Sequence, residues 1–269
     1  MGIVKPLSLS RELSVVDSTP IAAVNRVYSI SKVRKVKGTL LALILVASAL
    51  SFLGTGSGYN AYAQDNRNNN LDVQVSEPSP GLTAQWWQWI MSIPVDENPT
   101  TDTTGEDCSQ GDFGDTFFLA GNLGGKTERE CTITEGQDIL IPIVNTICIK
   151  TEPPETQESL LAICKDFTAQ TKNLQLIIDG KHVRNLESFR VTNSEFFTID
   201  AVDDNIFEPL GLPAGSYNAV ADGYWALIEG LSAGEHDITI VGKQHGHFST
   251  GEKWDFKTDV TYHITVEEA

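Results

Sequence analysis

Phe256-Lys257-Thr258-Asp259-Val260-Thr261-Tyr262-His263-Ile264-Thr265-Val266 alternates without a break: Phe256, Thr258, Val260, Tyr262, Ile264 and Val266 fall on one side, and Lys257, Asp259, Thr261, His263 and Thr265 on the other. A period of two sends successive side chains to opposite faces of a strand, so the segment predicts a β-strand with one buried and one wet face.

Working back from it, the same reading finds further strands. Residues 116–120 lie between glycines, Gly124-Gly125 marks a turn, and 129–133 reads as the return strand. Residues 138–146 are apolar enough for a buried strand, but Pro142 lacks an N–H and argues for an edge position or a bulge. Residues 174–178 run into Asp179-Gly180, a hairpin turn signal. Strands at 188–192, 196–200 and 236–241 follow the same logic, and 216–221 and 224–229 flank a second such pair, Asp222-Gly223.

Two helices interrupt the series. In residues 83–93, Trp86, Trp89, Ile90 and Ile93 share one face, and Pro94 ends the run. In 155–169, Leu160, Cys164 and Phe167 share a face after Pro153-Pro154. Many short strands with Gly-rich turns predict a mainly β fold. We expect a β-sandwich or jelly-roll domain over 81–269, with a short N-terminal helix and one inserted helix.

The sequence ahead of that domain reads differently. Lys32, Arg34, Lys35 and Lys37 precede an uncharged apolar run over 39–53, then Gly54, Gly56, Gly58 and Ala61-Tyr62-Ala63. A basic stretch, an apolar core and small residues before a cleavage point form a secretory signal peptide pattern, with Gln64 as the first mature residue. An uncleaved N-terminal membrane anchor is the rival reading of 1–63, and it is the only route by which this chain would meet a membrane. Residues 64–80, with the polar tract 65–70 and Ser76-Glu77-Pro78-Ser79-Pro80, read as a flexible linker. Either reading of 1–63 places the domain outside the cytoplasm, secreted or at the cell surface.

Charge narrows the partners. The chain carries 19 basic and 36 acidic residues; residues 1–63 hold seven and two of these, leaving 12 and 34, a net of −22 for the remainder. Such a surface repels nucleic acid and anionic lipid. All four cysteines, Cys108, Cys131, Cys148 and Cys164, lie beyond residue 63. An even count in an exported chain suggests two bridges, and sequential pairing closes two short local loops. A zinc site would need close CxxC pairs, which the sequence lacks.

Several strings together resemble a family. They are Gln85-Trp86-Trp87-Gln88-Trp89, Phe118-Leu119-Ala120-Gly121, Asp204-Asn205-Ile206-Phe207 and Ala221-Asp222-Gly223-Tyr224-Trp225, with Ile141-Pro142-Ile143, Arg129 and Leu231-Ser232-Ala233-Gly234-Glu235-His236 beside them. Over nearly all of residues 82–266 the chain resembles an uncharacterised family of secreted bacterial and archaeal proteins. The resemblance implies export and a shared fold, and it brings no catalytic residue.

Candidate sites follow from residue chemistry. His245-Gly246-His247 on an extended strand would point two imidazoles to one side, and His263 or Asp255 could complete a divalent-metal site, for copper or another cation. The turn residues Gly242 and 249–251 around them favour a polar loop instead. Trp86, Trp87 and Trp89 could form a platform for a sugar ring or a peptide, although aromatics at helical spacing are more often core. Trp87 leaves the apolar stripe, and Trp225 could line a cleft, so these two are the ligand-binding candidates. The acidic groups Asp200, Asp203, Asp204 and Glu229, Glu235, Asp237 fit no diagnostic cation or glycosidase spacing. No Walker loop or dinucleotide fingerprint occurs. The chain therefore reads as a structural or ligand-binding module, its partner a cell-surface polymer or protein. A metal-binding protein or metal-dependent hydrolase using His245 and His247 is the alternative.

Overall fold

The computed structural model describes residues 71–151, 155–247 and 253–269. The expected signal peptide or anchor at 1–63, and the expected linker up to 70, lie outside the described residues.

Among the described residues ten strands form two five-stranded sheets. The first contains β1 (Gln74–Ser76), β2 (Thr116–Phe118), β4 (Asp138–Ile149), β7 (Arg190–Ala201) and β8 (Gly215–Glu229). The second contains β3 (Thr127–Thr134), β5 (Thr171–Ile178), β6 (Lys181–His182), β9 (Gly234–His247) and β10 (Lys253–Glu267), in the order β3-β10-β9-β5-β6. Their facing sides bury one core that includes Ile139, Ile141, Ala226, Ile240, Val260 and Ile264. A mainly β sandwich with two helices is what the alternation predicts.

Helix α1 (Pro80–Met91) covers the outer face of the first sheet. Ser79 caps it by accepting from the Leu82 N–H, and a proline in the first turn suits its start. Trp86 and Trp89 bury against Ile199, Ala219 and Trp225 in a second core. Helix α2 (Gln157–Ala169) begins at a capping box between Thr156 and Ser159. Its Leu160 and Cys164 pack on Val220, so it covers the inner face of the first sheet beside the second sheet.

Both bridges take the sequential pairing, Cys108–Cys131 and Cys148–Cys164, with Cα atoms 5.7 and 5.9 Å apart. The second straps α2 to the end of β4. Each closes a short loop, for which the chain-entropy model gives roughly 3 kcal/mol. Bridges of this kind form and persist in oxidising compartments.

Four expectations change. Gln74, Val75 and Ser76, expected in the linker, form β1 on the end of β8, with Leu71, Val73 and Val75 packed on the main core. Asp222-Gly223 is no turn: β8 runs straight through it. The Asp222 carboxylate is fully buried and met by the Arg190 guanidinium, and Thr192 Oγ1 donates to it at 2.9 Å. The expected return strand at 129–133 belongs to β3, which pairs parallel to β10 in the other sheet rather than with β2. His245-Gly246-His247, expected in a loop, ends β9. Asp179-Gly180 is a turn as expected, with both residues at positive φ.

Candidate functional site

The site is built around an edge. Along one side, β4 pairs with β8 from Ile139 to Ile149; along the other, β2 reaches only residues 138–140. The reason lies just past β2. Leu119 N still donates to Leu140 O at 2.9 Å, but the next residues turn away to the second sheet. There Arg129, almost fully buried on β3, donates through Nη1 to the carbonyls of Ala120 and Gly121 at 3.0 and 3.2 Å, and through Nε to that of Asp102 at 2.8 Å. Among the described residues no strand pairs with 141–149 on this side. Pro142, with no N–H, stands at the start of this stretch, and a bulge follows it.

A cavity of about 280 Å³ runs along that edge. Residues 145, 146, 147, 148 and 149 all line it. A strand face contributes every second residue, so five in succession mean that the cavity lies against the edge of β4, not its face. The phase of the backbone follows from one bond. Lys150 N donates to Asn218 O at 2.7 Å on β8, so residues 146 and 148 share that phase and aim their N–H and C=O at β8. The N–H and C=O of Asn145, Ile147 and Ile149 therefore face the cavity.

One wall comes from α1 and the loop after β7, with Trp87, Ile206, Phe207 and Leu210. Buried Asn205 shapes that loop. Its Nδ2 donates to Val202 O and Leu212 O, and its Oδ1 accepts from Phe207 N, so that Phe207 lies tilted 6.5 Å from Trp87. The opposite wall is Leu160, Ile163 and Phe167 of α2 with Trp254 and Phe256 of β10. Ile163 is 41% exposed, so the cleft opens to solvent there.

Two buried donors in this lining have no partner, Trp87 Nε1 and Asn145 Nδ2. Buried polar groups are nearly always bonded, and leaving one unpaired costs about 1–3 kcal/mol. Among the described residues the lining also holds two carboxylates, Glu155 and Asp255, and neither Lys nor Arg. The arrangement can hold an apolar body, bind acceptor oxygens and disfavour anions.

Of the metal candidates, His263 lies apart from the other two. His245 is exposed and stands opposite Asp255 in the ladder, and His247 stands opposite Lys253. His263 stands opposite Asp237, eight residues further down β9, roughly 26 Å away at the usual rise of a strand. His263 Nδ1 lies 2.7 Å from Asp237 Oδ1. Among the described residues no three His, Cys, Asp or Glu side chains are placed to hold a metal ion. The reason is the antiparallel register, which separates residues that the alternation alone leaves on one wet face.

Of the two tryptophan candidates, Trp87 lines the cavity although it is only 5% exposed, whereas Trp225 is buried beneath α1, edge-on to Trp86. His236 is half-buried, with Nδ1 2.8 Å from Asp179 Oδ2 and Nε2 3.0 Å from Ser232 O. Sequence reasoning missed Asn145 as a site residue; its one signal was its position just past Pro142 in an apolar run. No family model, curated protein or solved structure matches the chain.

Proposed function

We propose that the protein is an exported, disulfide-braced binding module that holds a largely apolar ligand in the cleft along β4. The carrying observation is the pair of unpaired buried donors, Trp87 Nε1 and Asn145 Nδ2, set among apolar walls. A concave, mostly apolar site with a few placed polar groups is the usual form of a ligand pocket. Export is supported by the two bridges and by the basic-then-apolar pattern before Gln64.

The test uses the protein expressed from the full chain and recovered from an oxidising compartment. Titration with an uncharged apolar dye, N-phenyl-1-naphthylamine, should give saturable fluorescence enhancement. Ile163→Glu and Phe207→Glu, which place charge at the mouth and on one wall, should each weaken it about tenfold or more. Non-saturable dye uptake, or equal uptake by both variants, would remove the reading.

A further inference from the structure

We infer that the natural occupant of this cleft is an extended, uncharged or cationic peptide segment that adds to the open edge of β4 as another strand. This rests on the binding reading above and names its ligand class.

Three observations carry it. First, the cavity floor is strand backbone: residues 145–149 line it in succession, and the phase set by Lys150 and Asn218 turns the N–H and C=O of Asn145, Ile147 and Ile149 into it. A small apolar molecule would leave those groups unmatched, whereas a peptide strand matches each of them at the spacing of a ladder. Second, the two walls stand above and below the plane of the sheet. Trp87 and Phe207 pack in the core on the outer face, and Leu160 packs on Val220 on the inner face, with Phe167 on the same helix 5.1 Å from Trp254. An added strand sends alternate side chains to those two sides, so both walls would be filled at once. Third, the charges are one-sided: among the described residues Glu155 and Asp255 are the only charged groups in the lining, and residues 64–269 carry a net of −22. An acidic peptide is repelled and a basic one attracted.

The edge is also a hazard unless it has an occupant. Proteins shield such edges with short strands, charge, proline or a cover. Here Pro142 and the bulge interrupt the edge ahead of the cleft, but 145–149 carry no Lys, Arg, Asp, Glu or Pro. The segment that invites pairing is the one that lines the cavity.

The experiment uses the same exported protein and a library of fluorescent, end-capped hexapeptides alternating Val, Leu or Phe with Ser, Thr or Lys. Binders should displace N-phenyl-1-naphthylamine. In a binder, N-methylation of alternate amides should weaken binding about tenfold per edge bond removed, while methylation of the other alternate set leaves it within about twofold. Replacing Lys by Glu should weaken it again. Amide hydrogen exchange should slow at Asn145, Ile147 and Ile149 when peptide binds. If the dye binds but no peptide displaces it, or both methylation phases act alike, the strand-addition inference falls and the binding reading stands. If neither dye nor peptide binds, both fall. A concentration-dependent dimer that excludes peptide would make a second copy of the chain the occupant and overturn the inference.

Discussion

Arg129 Nη1 lies 2.6 Å from the hydroxyl of Tyr262, and that hydroxyl donates to the Ala120 carbonyl at 2.8 Å while accepting from the Ala120 N–H at 3.1 Å. Both side chains are almost fully buried, and burial pushes the Tyr262 phenol up from its usual range despite the neighbouring guanidinium. The pair fastens the segment after β2 to the second sheet, which is what leaves β4 unpaired beyond residue 140. Tyr262→Phe removes one hydroxyl and strands the Ala120 amide, for an expected loss of about 1–3 kcal/mol. Arg129→Met leaves the Asp102 and Gly121 carbonyls without that donor and should cost more, about 1–3 kcal/mol for each. Urea unfolding of the two variants checks the order; a Tyr262→Phe midpoint equal to wild type would contradict this account.

Asp222 and Arg190 make the second buried polar junction, joining β8 to β7 under α2. The Asp222 side chain has no exposure, that of Arg190 is 30% exposed, and Arg190 Nη2 also donates to Lys165 O at 3.0 Å. The bond to Asp222 raises the guanidinium above its usual pKa, so Arg190 stays a cation. Asp222→Ala leaves a half-buried cation unmatched and should destabilise by about 3 kcal/mol. Asp222→Ala with Arg190→Met should recover most of that loss. Equal midpoints for the single and double variants would show that the loss does not come from the unmatched cation.

His236 gives the fold a pH dependence. Burial disfavours its cation, but the Asp179 carboxylate and the Ser232 carbonyl outweigh this, and its pKa rises above the usual histidine value. A raised folded pKa means stabilisation that is complete below the unfolded value, about 6.5, and is lost as pH climbs through the folded value. Asp179 is 40% exposed, so solvent screens the pair and the effect should be at most about 1 kcal/mol. Melting temperature should therefore fall between pH 6 and pH 8, and His236→Gln should flatten that slope. A wild-type slope of opposite sign would refute the assignment.

Local signals read correctly from sequence were those that act locally. The alternation of β10 needs only its own residues, and Asp179-Gly180 needs only its own φ angles. Pro142 announced the bulge because proline lacks an N–H wherever it sits. The failures have distant causes. Asp222-Gly223 imitates a turn, yet Asp222 is held by Arg190, 32 positions away, and Gly223 is there because a Cβ would come within 2.7 Å of Asn145 Cα. The cleft itself was not legible, because a strand edge is defined by which strand does not pair. That depends on Arg129 pulling residues 120 and 121 across to the other sheet.

Trp87 and Asn145 supply the last prediction, because an unpaired donor can be removed without breaking a bond in the free protein. Trp87→Phe loses Nε1 and some ring volume, so the expected cost is near 1 kcal/mol, from the space left behind. Its effect on binding should be selective. Wild-type protein should prefer 2-acetylnaphthalene to 2-ethylnaphthalene by roughly tenfold, since the two differ in one acceptor oxygen that an orphan donor can meet. In Trp87→Phe or in Asn145→Leu, whichever donor the ketone uses, that preference should shrink while affinity for the ethyl compound stays nearly constant. Calorimetric titration of both ligands against the three proteins measures the ratio directly. A wild-type ratio near one would mean that these two donors serve no ligand, and the cleft would lose its claim to specificity.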